Sequence, residues 1–150
     1  MSAPLVAVLN GPNLSQLGRR EAEHYPSLTL AQLDAACVQE GEALGLRVVC
    51  HQTEAEGELV TLIHRWGSEA DALVVNAAAY THTSVAVRDA LLCVAVPVVE
   101  VHLSNPDARE PFRRRNLLRG VVRASICGFG VDSYRLALRG VRGFLGGGNA

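Results

Sequence analysis

At 150 residues, 49% hydrophobic and only 5% aromatic, the chain is a single domain, 1–150, long enough for a proper core, and its Val, Leu and Ala suit parallel strands covered by helices. The net charge of −1 argues against a dedicated nucleic-acid binder, and because all 14 basic residues are Arg there is neither a Schiff-base lysine nor a phosphate-loop lysine. Cys37, Cys50, Cys93 and Cys127 each sit in an apolar segment and none at metal-ligand spacing, so they read as reduced core residues of a cytoplasmic protein.

Leu5 to Leu9 is a short apolar run, the expected first strand, and it stops at the turn cluster Asn10-Gly11-Pro12-Asn13. Leu14 to Ser27 reads as a long polar loop containing Arg19, Arg20, Glu21, His24 and Tyr25; a loop of that length in a compact domain is usually functional or disordered. Thr29 to Leu44 has helical spacing of Leu30, Leu33, Cys37 and Leu44, a Thr29/Gln32 capping box and Gly45 as a stop. Leu46 to His51 is a second strand. Thr53 and Glu56 suggest another capping box, before a helix with Leu59, Ile63 and Trp66 on one face that ends near Gly67. Ala72 to Val75 is the third strand, ending at Asn76, and Ser84 to Cys93 the third helix, capped by Thr83 or Ser84. Val98 begins the fourth strand directly after Pro97, a position that tolerates proline. Arg109 to Arg115 is a basic stretch with a short helical turn, Gly120 to Cys127 the fifth strand, and Asp132 to about Phe144 the last helix. Residues 146–150 read as a disordered tail.

This alternation implies a five-stranded parallel sheet with helices on both faces, most simply in the order 2-1-3-4-5. Ligands bind such sheets beyond the carboxyl ends of the strands, at the switch point between strands 1 and 3. The polar clusters Asn10–Asn13, Asn76–Ser84 and Glu100–Asn105 follow strands 1, 3 and 4, so this order gathers all three in one crevice. Side chains alternate along a strand, so Glu100 and His102 share a face. A carboxylate fixes an adjacent imidazole and favours its protonated form, which makes His102 a candidate general acid. The plainer alternative is a strand-end His satisfied by a surface Glu. Arg20 near Tyr25 would favour a phenolate, lowering a pKa of about 10 toward working pH. A Tyr base and a His acid together fit an elimination.

Other chemistries find less support. The crevice has no central carboxylate pair, no activated Cys and no plausible zinc set; His82 and His102 lack an evident third metal ligand. Ser84 and Ser104 lie outside any Gly-x-Ser-x-Gly elbow, and Gly128-Phe129-Gly130 reads as a tight strand-to-helix turn rather than a dinucleotide fingerprint. The arginines suggest an anionic or polyhydroxylated small ligand; the run Arg113-Arg114-Arg115 reads first as a solvated face, and one inward-facing member suffices for function.

The chain closely resembles the type II 3-dehydroquinate dehydratases, small enzymes of the shikimate and quinate pathways. The resemblance is carried by Leu9-Asn10-Gly11-Pro12-Asn13-Leu14, Leu17-Gly18-Arg19-Arg20-Glu21 with Tyr25, Glu56-Gly57-Glu58-Leu59, Asn76 and Ala79 to Ala90. It continues through Glu100-Val101-His102-Leu103-Ser104-Asn105, Ala108-Arg109-Glu110 with Phe112-Arg113, and Gly128-Phe129-Gly130. It implies a flavodoxin-like α/β/α sandwich and dehydration of 3-dehydroquinate to 3-dehydroshikimate by anti elimination through an enolate, with no metal and no cofactor. By the same resemblance, Tyr25 is the base that removes the C2 proton, and Arg20 lowers its pKa and stabilises developing charge. Asn13 holds the water that supports the enolate oxygen. His102, oriented by Glu100, protonates the leaving hydroxyl. The Leu103 and Ser104 amides, with the Ser104 hydroxyl, take the substrate carboxylate, while Asn76, His82 and Arg113 bind ring hydroxyls. Arg109 matches a loop-closing arginine, and Asp89 reaches a neighbouring subunit's site in a dodecamer built from trimers.

Some positions depart from the family pattern. Pro26 replaces the usual Gly after the loop tyrosine and restricts Tyr25 to extended backbone, which bears on lid closure. Ala22 stands for Pro, and Ser15-Gln16 for an apolar or Asn-Leu pair. Ala77-Ala78 replaces Pro-Gly or Ala-Gly, so a positive φ there would strain Ala78. Asp107 stands where His is common and Asn116 where Ser is common. These changes remove no catalytic group; Pro26 and Ala78 are the support for the alternative of a non-catalytic or altered-substrate binding protein on the same scaffold. A flavin-binding module is a third reading.

Overall fold

Five short runs form one parallel sheet: β1 (Leu5–Asn10), β2 (Arg47–Gln52), β3 (Ala72–Asn76), β4 (Val98–His102) and β5 (Ala124–Cys127). The computed structural model describes residues 2–19 and 28–146. The strand order is β2-β1-β3-β4-β5 with every neighbouring pair parallel, the order the sequence implies. Strand alternation sends Val6, Val8, Val74 and Val101 to one face, where α1 (Leu30–Ala43) and α4 (Val131–Leu145) cover them with Leu33, Cys37, Tyr134 and Leu138. Ala7, Leu9, Leu73 and Val75 point to the other, against Leu59, Ile63 and Trp66 of α2 (Glu56–Glu69) and Val87 and Leu91 of α3 (Val85–Leu92). Each fully buried Leu or Ile in these layers contributes on the order of 2 kcal/mol. Among the described residues no helix is long and apolar enough to cross a membrane.

Local signals account for most boundaries. Thr29 and Gln32 form the expected capping box: the Thr29 hydroxyl accepts from Gln32 N–H at 3.2 Å, and Gln32 Oε1 accepts from Thr29 N–H at 2.9 Å. Ser84 caps α3 by accepting from Val87 N–H at 2.9 Å. The second expected box does not form. The Thr53 hydroxyl turns back to accept from Ala55 N–H at 3.1 Å and donates to Glu58 rather than engaging Glu56, so Ala55 is the N-cap and has no side-chain cap. Nor does Gly67 stop α2. It is a close-approach site, where an added Cβ would lie 2.8 Å from the Val94 side chain, and the helix continues to Glu69.

The fifth strand is shorter than the apolar run from Gly120 suggests. The Asn116 side chain accepts from the N–H groups of Leu118 and Arg119, and Val121 N–H bonds to Leu118, which bends residues 118–121 into turns and delays β5 to Ala124. The loop expected from Leu14 opens with a short 3₁₀ turn, Leu14–Gln16; its residues 20–27 lie outside the described residues, as do residues 147–150 of the expected tail, whereas Gly146 closes α4. Of the four cysteines only Cys37 is buried. Cys93 is exposed at the end of α3, its thiol on the Asp89 carbonyl, because it falls on the outer side of the helix.

Candidate active site

The carboxyl ends of β1, β3 and β4 open into one cleft, because Asn10 pairs in register with Asn76 and the following turns diverge from there. Gly11 lets the first turn lie flat against the third strand: its N–H bonds to the Asn76 carbonyl at 2.8 Å, and a Cβ would meet the Ala77 oxygen at 2.7 Å. Asn13 then takes a left-handed conformation, φ 69°, which asparagine tolerates better than most residues. Glu54 holds this turn. Its Oε1 accepts from Asn13 N–H at 3.0 Å, the Ser15 hydroxyl at 2.9 Å and Gln52 Nε2 at 2.7 Å. Those donors, Ser15 foremost, keep the Glu54 carboxyl below its ordinary range.

On β3 the Asn76 amide is fixed at both ends. Its Nδ2 donates to the Tyr134 hydroxyl at 2.9 Å and its Oδ1 accepts from Ala78 N–H at 3.0 Å. Tyr134 in turn donates to Asn10 Oδ1 at 2.7 Å, and its complete burial pushes the phenol well above its ordinary pKa, so it stays neutral. Ala78 has φ 52°, the strained conformation that replacing glycine in this turn implies.

On β4, Glu100 and His102 share a face as expected. His102 Nε2 lies 2.8 Å from Glu100 Oε2. The reading of Glu100 as a surface carboxylate fails, since it is 0% exposed. Its Oε1 accepts from the Ser125 hydroxyl at 2.8 Å, possible because Ser125 is its register partner on β5, and its Oε2 also accepts from Asn116 Nδ2 at 2.8 Å. Burial pushes the carboxyl up, but the bond and charge of His102 and the Ser125 and Asn116 donors outweigh it, so Glu100 stays below the ordinary range and ionised. An ionised carboxylate only accepts, so His102 Nε2 carries the hydrogen and Nδ1 is the nitrogen left for a ligand.

The remaining wall comes from the turns after β4. Leu103, Ser104, Arg109 and Arg113 line the cleft together with Asn13, Asn76, His82 and His102. His82 donates through Nδ1 to the Arg115 carbonyl at 2.6 Å, which leaves its Nε2 for other partners. Glu110 bridges the two arginines, 2.9 Å from Arg113 Nε and 3.8 Å from Arg109 Nε, and Arg113 chiefly holds its carboxyl below the ordinary range. Arg114 and Arg115 are exposed, in keeping with a solvated face, whereas Arg113 lines the cleft. Asp89 is exposed on α3 and does not line this cleft, while Arg20 and Tyr25 lie outside the described residues.

The sequence reading missed Tyr134, Ser125, Asn116, Glu54 and Glu110 as functional supports. Each acts through another residue across a turn or a strand pair, and no motif spacing marks them; only Glu110 sits inside a recognisable run. Among the described residues no three His, Cys, Asp or Glu gather closely enough to hold a metal ion. What converges is a buried carboxylate–imidazole pair, two arginines, amides and hydroxyls, a set suited to binding a small anionic polyol and donating a proton to it.

Residues 4–142 match the family model described as dehydroquinase class II. A 3-dehydroquinate dehydratase of Rhodopseudomonas palustris (strain TIE-1) is 49% identical over 145 residues, 96% of each chain. One from Xanthomonas euvesicatoria pv. vesicatoria is 54% identical over 135 residues, 89% of this chain and 91% of that one. The crystal structure of the type II dehydroquinase of Propionibacterium acnes superposes with a TM-score of 0.91 at 38% identity, covering 95% of this chain and 98% of its own.

Proposed function

The chain belongs to the dehydroquinase class II family, and we propose that its cleft dehydrates 3-dehydroquinate to 3-dehydroshikimate with His102 as the general acid. The observation that carries this assignment is the 2.8 Å bond between His102 and the wholly buried, ionised Glu100 at the cleft wall.

The chemistry follows from the substrate. Its ketone acidifies the adjacent C2 proton, so a phenolate can remove it and leave the electron pair as an enolate. Tyr25 is that base, its phenolate favoured by Arg20, and a water held by Asn13 supports the enolate oxygen. When the enolate collapses, a carbon–carbon double bond forms and the C1–oxygen bond breaks. His102 Nδ1–H protonates the departing hydroxyl, which leaves as water, and the proton on Tyr25 returns to His102 through solvent. The anti course requires base and acid on opposite faces of the ring. Because the substrate ketone itself stores the charge, no metal or cofactor enters the scheme. The carboxylate binds the Leu103 and Ser104 amides and the Ser104 hydroxyl; Asn76, His82 and Arg113 bind ring hydroxyls, and Arg109 closes the site. Loss of an acid with this role costs roughly 10²–10⁴-fold.

The working assembly is a dodecamer of trimers in which Asp89 reaches a neighbouring cleft. In support, Asp89 is exposed outside its own cleft, on a helix that also exposes Val85 (57%) and Leu92 (61%). The free cysteines among the described residues suit the cytoplasm.

The test is a spectrophotometric assay, since the conjugated product absorbs in the ultraviolet. Turnover of 3-dehydroquinate by the parent chain that survives a chelator, and that collapses in both Tyr25→Phe and His102→Gln, is the expected result. Binding without turnover in the parent would replace this reading with a binding protein.

A further inference from the structure

We propose that Asn116 is a positioning residue for the reaction: its amide N–H holds the Glu100 carboxylate and thereby sets how firmly the proton sits on His102. This rests on the reading of His102 as the acid.

The orientation of the Asn116 amide follows from its other bonds. Its Oδ1 accepts from two backbone N–H groups, Leu118 at 2.8 Å and Arg119 at 2.7 Å. A backbone N–H can only donate, so that atom is the oxygen, and the atom 2.8 Å from Glu100 Oε2 is Nδ2. The donor is therefore locked by the backbone of the turn that precedes β5. Oε2 is also the oxygen that receives His102 Nε2–H, whereas Ser125 takes Oε1. Asn116 and His102 thus compete for one oxygen. The competing neutral donor draws charge from that oxygen and leaves the imidazolium less stabilised than an unshared carboxylate would. A less stabilised imidazolium is a stronger acid, better suited to protonating a poor leaving group.

Among the described residues, His82, Arg109 and Arg113 line the same cleft as His102, and Glu110 pairs with both arginines. His102 pairs in register with Cys127 of β5, whose thiol is pushed up first by burial. Arg119 and Asp107 act on that thiol with opposite sign, alongside Glu100 itself. On the β3 side the register partner of Glu100 is Val75, which carries no charge.

Asn116→Ala tests the donor, because it removes the N–H to Glu100 without adding a charge beside it. Asn116→Asp, which keeps an oxygen for Leu118 and Arg119 but sets a second carboxyl against Glu100, provides a second reading should loss of the turn bonds in Asn116→Ala prevent folding. The measurements are the ¹⁵N NMR titration of His102, assigned by its loss in His102→Gln, and the pH profiles of kcat and KM. The expected result is a rise in the His102 pKa of about one unit, with the alkaline limb of kcat moving the same way. At neutral pH kcat falls by about threefold, less than the full tenfold change in acidity because the Brønsted slope is below one, while KM stays within threefold. Ser125→Ala, which frees the other oxygen, shifts His102 less. A lowered melting temperature with an unchanged His102 titration and an unchanged kcat profile would overturn the proposal and leave Asn116 a turn residue. Full turnover in His102→Gln would instead defeat the acid assignment, and the NMR titration would still decide whether Asn116 governs His102.

Discussion

Asn76 accepts the backbone N–H of Ala78 through its Oδ1 at 3.0 Å, and this bond closes a turn in which Ala78 sits at φ 52°. A side chain of the substrate cleft is thereby tied to the one alanine that the described backbone places in the left-handed region. An alanine there costs roughly 1–2 kcal/mol relative to a right-handed conformation, while glycine pays part of that back as unfolded-state entropy. Ala78→Gly is therefore expected to stabilise the protein by about 0.5–1 kcal/mol, raising the melting temperature by roughly 2 °C. Thermal denaturation checks it, with KM for 3-dehydroquinate changed less than twofold. A lower melting temperature would mean that the turn is not strained.

Tyr134 carries the other end of the Asn76 amide. Tyr134→Phe removes one hydroxyl and strands two buried groups, Asn76 Nδ2 and Asn10 Oδ1. Each stranded group costs about 1–3 kcal/mol. The variant is expected to lose roughly 2–4 kcal/mol in chemical denaturation and, because Asn76 can then rotate, to raise KM more than it lowers kcat. Equal losses in kcat and kcat/KM, with KM unchanged, would place Asn76 in the transition state rather than in binding.

Glu100 couples the acid to stability. Its folded pKa is depressed, so its contribution is fully present above the unfolded value of about 4.3 and is lost as pH falls through the folded value. Glu100→Gln abolishes this dependence and sets an amide N–H against donors from His102, Asn116 or Ser125. The stability gap between parent and variant is expected to be widest near neutral pH and to narrow below about pH 4. Turnover at neutral pH should fall by about 10²-fold. Urea melts at a series of pH values and the ultraviolet assay give both numbers; a gap that widens on acidification would contradict the assignment.

Much of the architecture was legible in the chain. Short Val-rich runs alternating with helical spacings can bury both faces only as a parallel sheet with helices on each side, and right-handed crossovers favour the order found. The period of two placed Glu100 and His102 on one face without any structure. Tertiary contacts account for two local signals: Gly67 lies inside the helix, two residues before its end, as the small residue that admits the Val94 side chain, and the apolar run from Gly120 is preceded by turns because Asn116 claims its neighbours' N–H groups.

The sequence by itself determined the sheet, the place of the cleft at its carboxyl edge and the sharing of one face by Glu100 and His102, because strand periodicity and connection handedness are local properties. Only the tertiary structure decided which groups hold those side chains. Ser125 faces Glu100 through the β4–β5 register, and Tyr134 meets Asn10 across 124 positions of chain. A hydrogen bond reaches about 3 Å, so such partners depend on register and packing that no spacing along the chain encodes.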